Sequence, residues 1–233
     1  MGSTMRLLFS FLVLAAFSIS LSAVSLFVTD PVLQKLGSSD VLDLGVAGPG
    51  QKIVIVAERP AGQDSNNSAN PSEALWDRIV PANLPDGWSF EPSKFYENPF
   101  QAFVSISPDA ADGEYRFSVN AVDEYDGLAP TTFSAKIRVS SNVLSASLSK
   151  ASESTGAGQP AVYYLSLRNT GSASDVFDVS AKGLPAGWVP SRRVFVPHNS
   201  VVSVSVPVTP QEAGTYSFTV SSTSLSSDRI AQK

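Results

Sequence analysis

Short runs of alternating apolar and polar residues recur along most of the chain. The runs at residues 103–107 (FVSIS) and 202–206 (VSVSV) show this period of two clearly, and residues 115–122 repeat it over a longer stretch. Alternation of this kind places successive side chains on opposite faces of a β-strand. Beyond the N-terminal segment, no apolar run has the length and spacing of an amphipathic helix, so the pattern predicts an all-β fold.

The alternating runs belong to a sequence that is repeated once. LPDGW at residues 84–88 returns as LPAGW at residues 184–188, and each copy is followed by a proline-containing turn and an alternating run. A second shared stretch then follows, GEYRFSV at residues 113–119 and GTYSFTV at residues 214–220. The repeat indicates two copies of one β-module, and 233 residues accommodate two domains of about one hundred residues behind a head segment.

The head segment is strongly apolar and predicts a membrane-directed helix. A short positive stretch ending at Arg6 precedes residues 7–28, which carry no charge. This run is long enough for a retained transmembrane anchor, whereas small residues near Ala23 and Ser25 leave a cleaved signal peptide as the alternative. We expect residues 1–36 to be anchor or signal peptide with a short linker. Either form places the rest of the chain outside the cytoplasm, because the positive end stays inside.

The first module is expected to span residues 37–140, with strands at 41–46 and 52–56 and an inserted loop at 60–80. Within this loop, residues 72–78 are predicted to form one or two helical turns.

Two residues of the inserted loop are candidates for function. Trp76 is a candidate ligand contact, although insertions are tolerated at little cost and its ring could instead fold back onto its own module. Asn66 begins the chain's one N-x-S/T sequence without an intervening proline, which makes it a candidate glycosylation site.

An acidic turn marks the far end of the first module. Residues 115–122 and 132–139 are predicted to form a hairpin whose tip contains Asp123, Glu124 and Asp126. Carboxylates are ligands that Ca²⁺ prefers, so these three are candidate binding residues. Their spacing fits no EF-hand loop, and acidic hairpin tips are commonly just solvated, so we predict no metal site.

The second module is expected to span residues 141–233, with strands at 143–148, 161–168 and 175–180. Its closing strand is less defined than that of the first module. Residues 228–232 form it if the preceding hairpin is short, which is the alternative we favour. If the strand is missing, a sheet edge stays open to β-augmentation by a partner.

Four aromatic residues of the repeat are predicted to be core residues. Trp88 and Trp188 follow a tight turn and offer a large apolar plug for one end of a sandwich. Tyr115 and Tyr216 can bury their rings and direct their hydroxyl groups at nearby backbone, as the tyrosine corner of immunoglobulin folds does. An aromatic sugar-binding platform is the alternative interpretation of the same residues.

These features resemble a known group of surface modules. YLSLRNTG at residues 164–171, VFDV at 176–179, GLPAGW at 183–188 and GTYSFTV at 214–220 are similar to the Ig-like accessory modules of bacterial and archaeal surface proteins, of the CARDB or α-galactosidase-associated (NPCBM-associated) type. The resemblance spans about residues 143–222, and the first module shares it from Leu84 onward. It implies two tandem Ig-like antiparallel β-sandwich domains that act as non-catalytic spacers, adhesion units or carbohydrate-proximal units.

Several function classes lack support in the sequence. The chain has no cysteine, and its one histidine, His198, lies in a predicted turn, so we expect no thiolate site, no catalytic triad and no cofactor. The net charge is −5, with acidic residues concentrated in the first module, which argues against a nucleic-acid partner.

We therefore expect a non-catalytic, extracytoplasmic cell-surface protein, membrane-anchored through residues 7–28 or secreted, with a structural or interaction role. Its expected partner is a protein or a surface glycan. The alternatives are a carbohydrate-binding module that uses Trp76 and the 60–80 loop, and an accessory subunit of a membrane protein complex.

Overall fold

The computed structural model describes residues 25–37, 39–59, 76–123 and 130–232, and all regular secondary structure in these ranges is β-strand. The prediction of an all-β fold is confirmed for this part of the chain. The predicted N-terminal helix up to residue 24, most of the 60–80 loop with Asn66, and the acidic residues Glu124 and Asp126 lie outside the described residues.

Strands β1 to β9 form one pair of sheets, which we call the first sheet pair. They are β1 (Leu26–Asp30), β2 (Gln34–Leu36), β3 (Val41–Ala47), β4 (Lys52–Glu58), β5 (Arg78–Ala82), β6 (Ser89–Glu91), β7 (Phe100–Ser105), β8 (Gly113–Val122) and β9 (Thr131–Val139). One sheet has the order β2-β1-β4-β7-β6 and the other the order β3-β9-β8-β5. The apolar residues of the two sheets form a single buried cluster, so the sheets pack face to face.

Strands β10 to β16 form the second sheet pair. They are β10 (Leu144–Leu148), β11 (Ala161–Asn169), β12 (Asp175–Lys182), β13 (Arg192–Val196), β14 (Ser200–Val208), β15 (Thr219–Ser224) and β16 (Ala231–Gln232). The sheets have the orders β10-β11-β14 and β13-β12-β15-β16 and enclose a second buried cluster.

Strand pairing among the described residues is antiparallel with one exception. β3 runs parallel to β9, with Val41 opposite Ser134 and Ala47 opposite Val139. This pair corrects the expectation of purely antiparallel sheets. β3 and β4 are consecutive in the sequence, but they lie in different sheets. β3 pairs instead with β9, the last strand of the first sheet pair in the sequence.

The first sheet pair begins further upstream than the sequence predicts. β1 and β2 occupy residues that we expected to form the end of the membrane segment and a linker, and Leu26 and Val28 are fully buried in the first core. The apolar run continues from the head segment directly into this buried strand. Both structures are apolar, so hydrophobicity alone could not separate them. Residues 26–28 therefore do not belong to a membrane helix, and no helix in the described ranges is long and apolar enough to span a membrane.

One local prediction is wrong. Arg78, expected in a helical turn, opens strand β5 and pairs with Val122 of β8. Residues 215–218, whose counterparts at 114–117 lie in β8, belong to no strand, because β15 begins at Thr219.

The two sheet pairs meet at a buried polar junction centred on Asp175, which opens β12. Its carboxylate accepts hydrogen bonds from Gln51 Nε2 at 2.8 Å, Ser224 Oγ at 2.6 Å and Ser226 Oγ at 2.8 Å. Gln51 is fully buried and Asp175 nearly so. The donors satisfy the carboxylate, so burial leaves no uncompensated oxygen there.

Backbone and apolar contacts extend this junction. The Ser172 N–H donates to the Val46 carbonyl oxygen at 2.6 Å, and Ala173 is buried within the first core. Gly50 lies so close to the second sheet pair that an added Cβ would stand 2.1 Å from the Ser226 carbonyl oxygen. At the rim, Arg229 Nη1 donates to the Ala110 carbonyl oxygen at 2.6 Å. The two sheet pairs are thus fitted to each other by specific contacts.

Candidate binding site at the open edge of the second sheet pair

The repeated LPxGW sequences fold into the same turn. The N–H of Trp88 donates to the Pro85 carbonyl oxygen at 3.2 Å, and that of Trp188 donates to Pro185 at 3.4 Å. The glycine before each tryptophan has a positive φ, 76° at Gly87 and 86° at residue 187, a conformation that glycine adopts without a Cβ penalty.

Each turn brings its tryptophan against the tyrosine of the second shared stretch. Ring centroids are 5.2 Å apart for Trp88 and Tyr115, and 4.6 Å apart for Trp188 and Tyr216. Both hydroxyl groups donate to a carbonyl oxygen four residues upstream, at 3.0 Å for Tyr115 and 3.5 Å for Tyr216. The predicted orientation of the two hydroxyl groups is confirmed.

The four aromatic residues are not equally buried. Trp188 is buried, and Trp88 and Tyr115 are half-buried against the first core. Tyr216 is 39% exposed, so the prediction that it is a core residue is wrong. The greater exposure of Tyr216 reflects the strand next to it, because β16 is much shorter than β9.

In the first sheet pair, β9 covers the whole length of β8. Gly113 pairs with Val139, Tyr115 with Ile137 and Phe117 with Ala135. In the second sheet pair, β16 is short and pairs only with Ser222 and Thr223 among the residues that the structure describes. No described strand lies beside residues 214–221 on this side, and we call these residues the open edge.

Side chains at residues 113–119, which lie beside β9, are more buried than their counterparts at residues 214–220. Phe117 is buried and its counterpart Phe218 is half-buried, while Ser118 is buried and its counterpart Thr219 is exposed. The backbone of residues 214–218 also continues past the end of β12, whose last residue pairs with Thr219. No described strand therefore pairs with residues 214–218 on either side.

A cleft of about 700 Å³ lies against the open edge. Its aromatic wall consists of Tyr163, Trp188, Tyr216 and Phe218, and its outer wall is formed by residues 151–157. Tyr163 and Phe218 meet edge to face with centroids 5.3 Å apart. Aromatic residues beside backbone groups that pair with no described strand suit a ligand that is both apolar and hydrogen-bonding. The sequence pattern did not single out Tyr163 or Phe218, because their alternation is that of ordinary core positions.

Trp76 is a core residue. It is 3% exposed and packs edge to face on Phe133 with ring centroids 5.6 Å apart. A ring buried in this way offers no open face to a sugar, which favours the alternative that it folds back onto its own module over the candidate binding role. Asp123 follows β8 directly and is half-buried, whereas its two acidic neighbours of the predicted tip lie outside the described residues.

Ionisable groups elsewhere form isolated pairs. His198 Nε2 lies 3.2 Å from Asp30 Oδ1 across the two sheet pairs. Lys136 Nζ lies 2.9 Å from Asp43 Oδ2, and hydrogen bonds from Lys136 and from the Gly45 N–H lower the pKa of Asp43. Within the described ranges, no three His, Cys, Asp or Glu residues are grouped closely enough to hold a metal ion.

Comparison with known proteins adds one distant similarity. No protein family model matches the chain. An S-adenosylmethionine synthase from Hyphomonas neptunium is 28% identical over 149 residues, a match that covers 51% of this chain and 38% of that protein. The chain thus corresponds to well under half of the length of this relative, and the similarity does not show a family.

Proposed function

We propose that the protein is a non-catalytic structural or interaction protein of the extracytoplasmic space, built from two tandem Ig-like sandwiches. The observation that carries the proposal is the order of strands in the two sheet pairs. A surface protein of this kind acts through loops and sheet edges, and the open edge is the described edge best suited to a partner.

Strand order in the first sheet pair supports the Ig-like assignment. Immunoglobulin sandwiches pack strands A, B, E and D against C, F and G. β1, β4, β7 and β6 take the positions A, B, E and D, while β5, β8 and β9 take C, F and G. β3 and β2 are additions at the sheet edges.

The second sheet pair follows the same plan with one change. β10, β11 and β14 take the positions A, B and E, and β12, β15 and β16 take C, F and G. β13, which follows the LPAGW turn, pairs with β12, whereas β6 after the LPDGW turn pairs with β7. Sandwich domains of cell-surface proteins share the architecture without sharing every connection.

The N-terminal apolar segment supports the proposed extracytoplasmic location. With β1 beginning at Leu26, residues 7–25 remain as an uncharged segment behind Arg6. This length still suits a membrane-spanning helix, and a cleavage after Ala23 would leave β1 intact. Both possibilities deliver the sheet pairs to the outer side.

Two other activities receive less support. A carbohydrate-binding role through Trp76 loses its aromatic platform, because that ring is buried. A synthase activity rests on a 28% identical match that covers half of the chain. Fold alone does not decide function, so we base the proposal on the strand order and the head segment together.

Cell fractionation with external protease tests this function. We expect the full chain in the membrane or secreted fraction, degraded when protease is added to spheroplasts, and a variant lacking residues 2–24 in the cytosol, protected from protease. Intact mass of the purified full chain then distinguishes a retained anchor from a cleaved signal peptide. A full chain that stays protected in the cytosol would contradict the proposal.

A further inference from the structure

We propose that the side chains of Ser224 and Gln51 react to form an ester bond that links the two sheet pairs covalently, with Asp175 as the base. The bond is a modification of the chain itself, so it is independent of the proposed function. The reacting groups meet at one buried oxygen atom of the Asp175 carboxylate.

The nucleophile and the leaving group contact the same carboxylate oxygen. Ser224 Oγ donates to Asp175 Oδ2 at 2.6 Å, and Gln51 Nε2 donates to that same oxygen at 2.8 Å. Asp175 Oδ2 therefore touches both the hydroxyl group that must lose a proton and the amide nitrogen that must gain one. A serine nucleophile needs a base within hydrogen-bond distance, and a carboxylate can take this role.

The amide group of Gln51 has the orientation that acyl transfer needs. The Gly48 N–H donates to Gln51 Oε1 at 2.7 Å in a buried position. A backbone donor on one side and a carboxylate acceptor on the other together assign the oxygen and the nitrogen of the amide. The same N–H stabilises the negative charge that develops on the amide oxygen during attack, as an oxyanion-hole donor does.

Two serine hydroxyl groups contact Asp175, and Ser224 is the better placed nucleophile. Ser224 Oγ accepts the N–H of Ser226 at 2.9 Å, so its own hydrogen is directed at Asp175 Oδ2. Ser226 Oγ donates instead to Oδ1 at 2.8 Å, the carboxylate oxygen that does not face the amide of Gln51. Ser224 is also the more deeply buried of the two.

Burial keeps water away from the reacting groups. Gln51 is fully buried, and Asp175 and Ser224 are each 5% exposed. The turn that carries Gln51 is pressed against the second sheet pair, because an added Cβ on Gly48 would stand 2.3 Å from Ile230 Cδ1. Excluding water suppresses hydrolysis of an ester, which is the reaction that competes with its formation.

The reaction balances without a co-reactant. Asp175 takes the proton of Ser224 as Oγ bonds to the Cδ of Gln51, which gives a tetrahedral intermediate. Asp175 then passes this proton to Nε2, the Cδ–Nε2 bond breaks, and one molecule of ammonia leaves. The carboxylate is regenerated and no group is oxidised or reduced.

The ester would do the work of a disulfide bond in a chain that has no cysteine. It connects Gln51, directly before β4, with Ser224, the last residue of β15. A covalent link between residues far apart in the sequence restricts the unfolded chain. The sheet pairs then stay joined even when the hydrogen bonds between them break.

Mass spectrometry of tryptic peptides from the purified full chain tests the bond. Trypsin cuts on both sides of each reacting residue, after Lys35, Lys52, Arg193 and Arg229. We expect peptides 36–52 and 194–229 as one joined species, lighter than their sum by one ammonia. Hydroxylamine should separate them, because it cleaves esters under conditions that leave amides intact. Two separate peptides of unmodified mass would overturn the proposal.

Two serine variants locate the nucleophile. Ser224→Ala should abolish the joined species, whereas the matched control Ser226→Ala should retain it, with circular dichroism to show that each variant folds. Fragment ions of the joined wild-type peptides identify the bonded serine directly, so the assignment does not depend on either variant. A joined species in Ser224→Ala, or its loss in folded Ser226→Ala, would contradict the assignment.

Asp175→Asn tests the base. An amide cannot take the proton of Ser224 Oγ, so the joined species should form at least about a hundredfold more slowly, within the range that a general base contributes. The rate is followed by sampling freshly translated chain over time and digesting each sample with trypsin. An unchanged rate would show that Asp175 is not the base and would contradict the proposed reaction.

Discussion

Trp188 is a buried side chain of the second sheet pair that also lines the cleft. Its ring is 6% exposed, packs edge to face on Tyr216 and lines the cleft. Truncation therefore removes buried aromatic area and one wall of the site together.

We predict that Trp188→Ala lowers the free energy of unfolding by roughly 3–5 kcal/mol, as buried aromatic truncations do. Phe195→Ala is the control, because Phe195 is 60% exposed and its loss should change stability by less than about 0.5 kcal/mol. Urea unfolding monitored by circular dichroism measures both. Equal effects would contradict the assignment of Trp188 to the core.

Substitutions at two glycines distinguish the cost of backbone strain from the cost of a steric clash between the two sheet pairs. Gly50 and Gly158 have nearly the same φ, 73° and 75°, but an added Cβ meets the Ser226 carbonyl oxygen at Gly50 and nothing within 4 Å at Gly158. Gly158→Ala should cost about 1 kcal/mol from strain alone. Gly50→Ala should cost clearly more in the same unfolding assay, because it also forces the two sheet pairs apart.

At the scale of strands, a cross-strand ion pair makes stability depend on pH. Asp43 and Lys136 are opposite each other in the parallel pair β3–β9, and the lysine holds the pKa of Asp43 below its usual 3.8. A carboxyl group with a lowered folded-state pKa stabilises the fold above its unfolded-state pKa, and this contribution is lost as pH falls through the folded-state pKa.

We predict that Lys136→Met raises the pKa of Asp43 toward 3.8, although the Gly45 N–H still donates to its carboxylate. Stability near neutral pH should fall slightly, since the carboxylate is partly exposed and screened by solvent. Carbon-detected NMR titration of the Asp43 carboxyl group measures the pKa directly. An unchanged pKa in the variant would show that the lysine is not the cause.

Strands with clear alternation could be predicted from the sequence. β8, β9, β11 and β14 match their predicted positions closely, because one face of each is buried and the other is not. β1 was missed because its apolar residues continue the head segment. β5 was missed because Arg78 opens a strand directly after an inserted loop.

The candidate site was only partly predictable. The count from Tyr216 left open whether the closing strand is short or missing. β16 shows that a short strand exists, and no described strand lies beside residues 214–221 on that side. The cleft itself depends on how residues 151–157 fold over Tyr163 and Trp188. No local sequence pattern indicates that packing. The sequence analysis therefore selected Trp76, which stands out only because it lies in the inserted loop.

At the scale of the whole molecule, buried hydrogen bonds at Asp175 join the two sheet pairs. We predict a coupling free energy of at least about 1 kcal/mol between Gln51→Ala and Asp175→Ala in a double-mutant cycle, because a buried charged hydrogen bond joins them. The exposed pair Arg229 and Asp112 also links the sheet pairs and serves as control. Its coupling should be lower, about 0.2–1 kcal/mol.

A cysteine-labelling experiment tests the central claim most directly, because the chain contains no cysteine of its own. Asp86→Cys places a single thiol in an exposed turn, and Val206→Cys places one in the second core as the buried control. A membrane-impermeant maleimide should label Asp86→Cys equally in intact and lysed cells, or in the medium, and should not label Val206→Cys without denaturant. Labelling of Asp86→Cys only after lysis would place the sheet pairs in the cytoplasm and contradict the account.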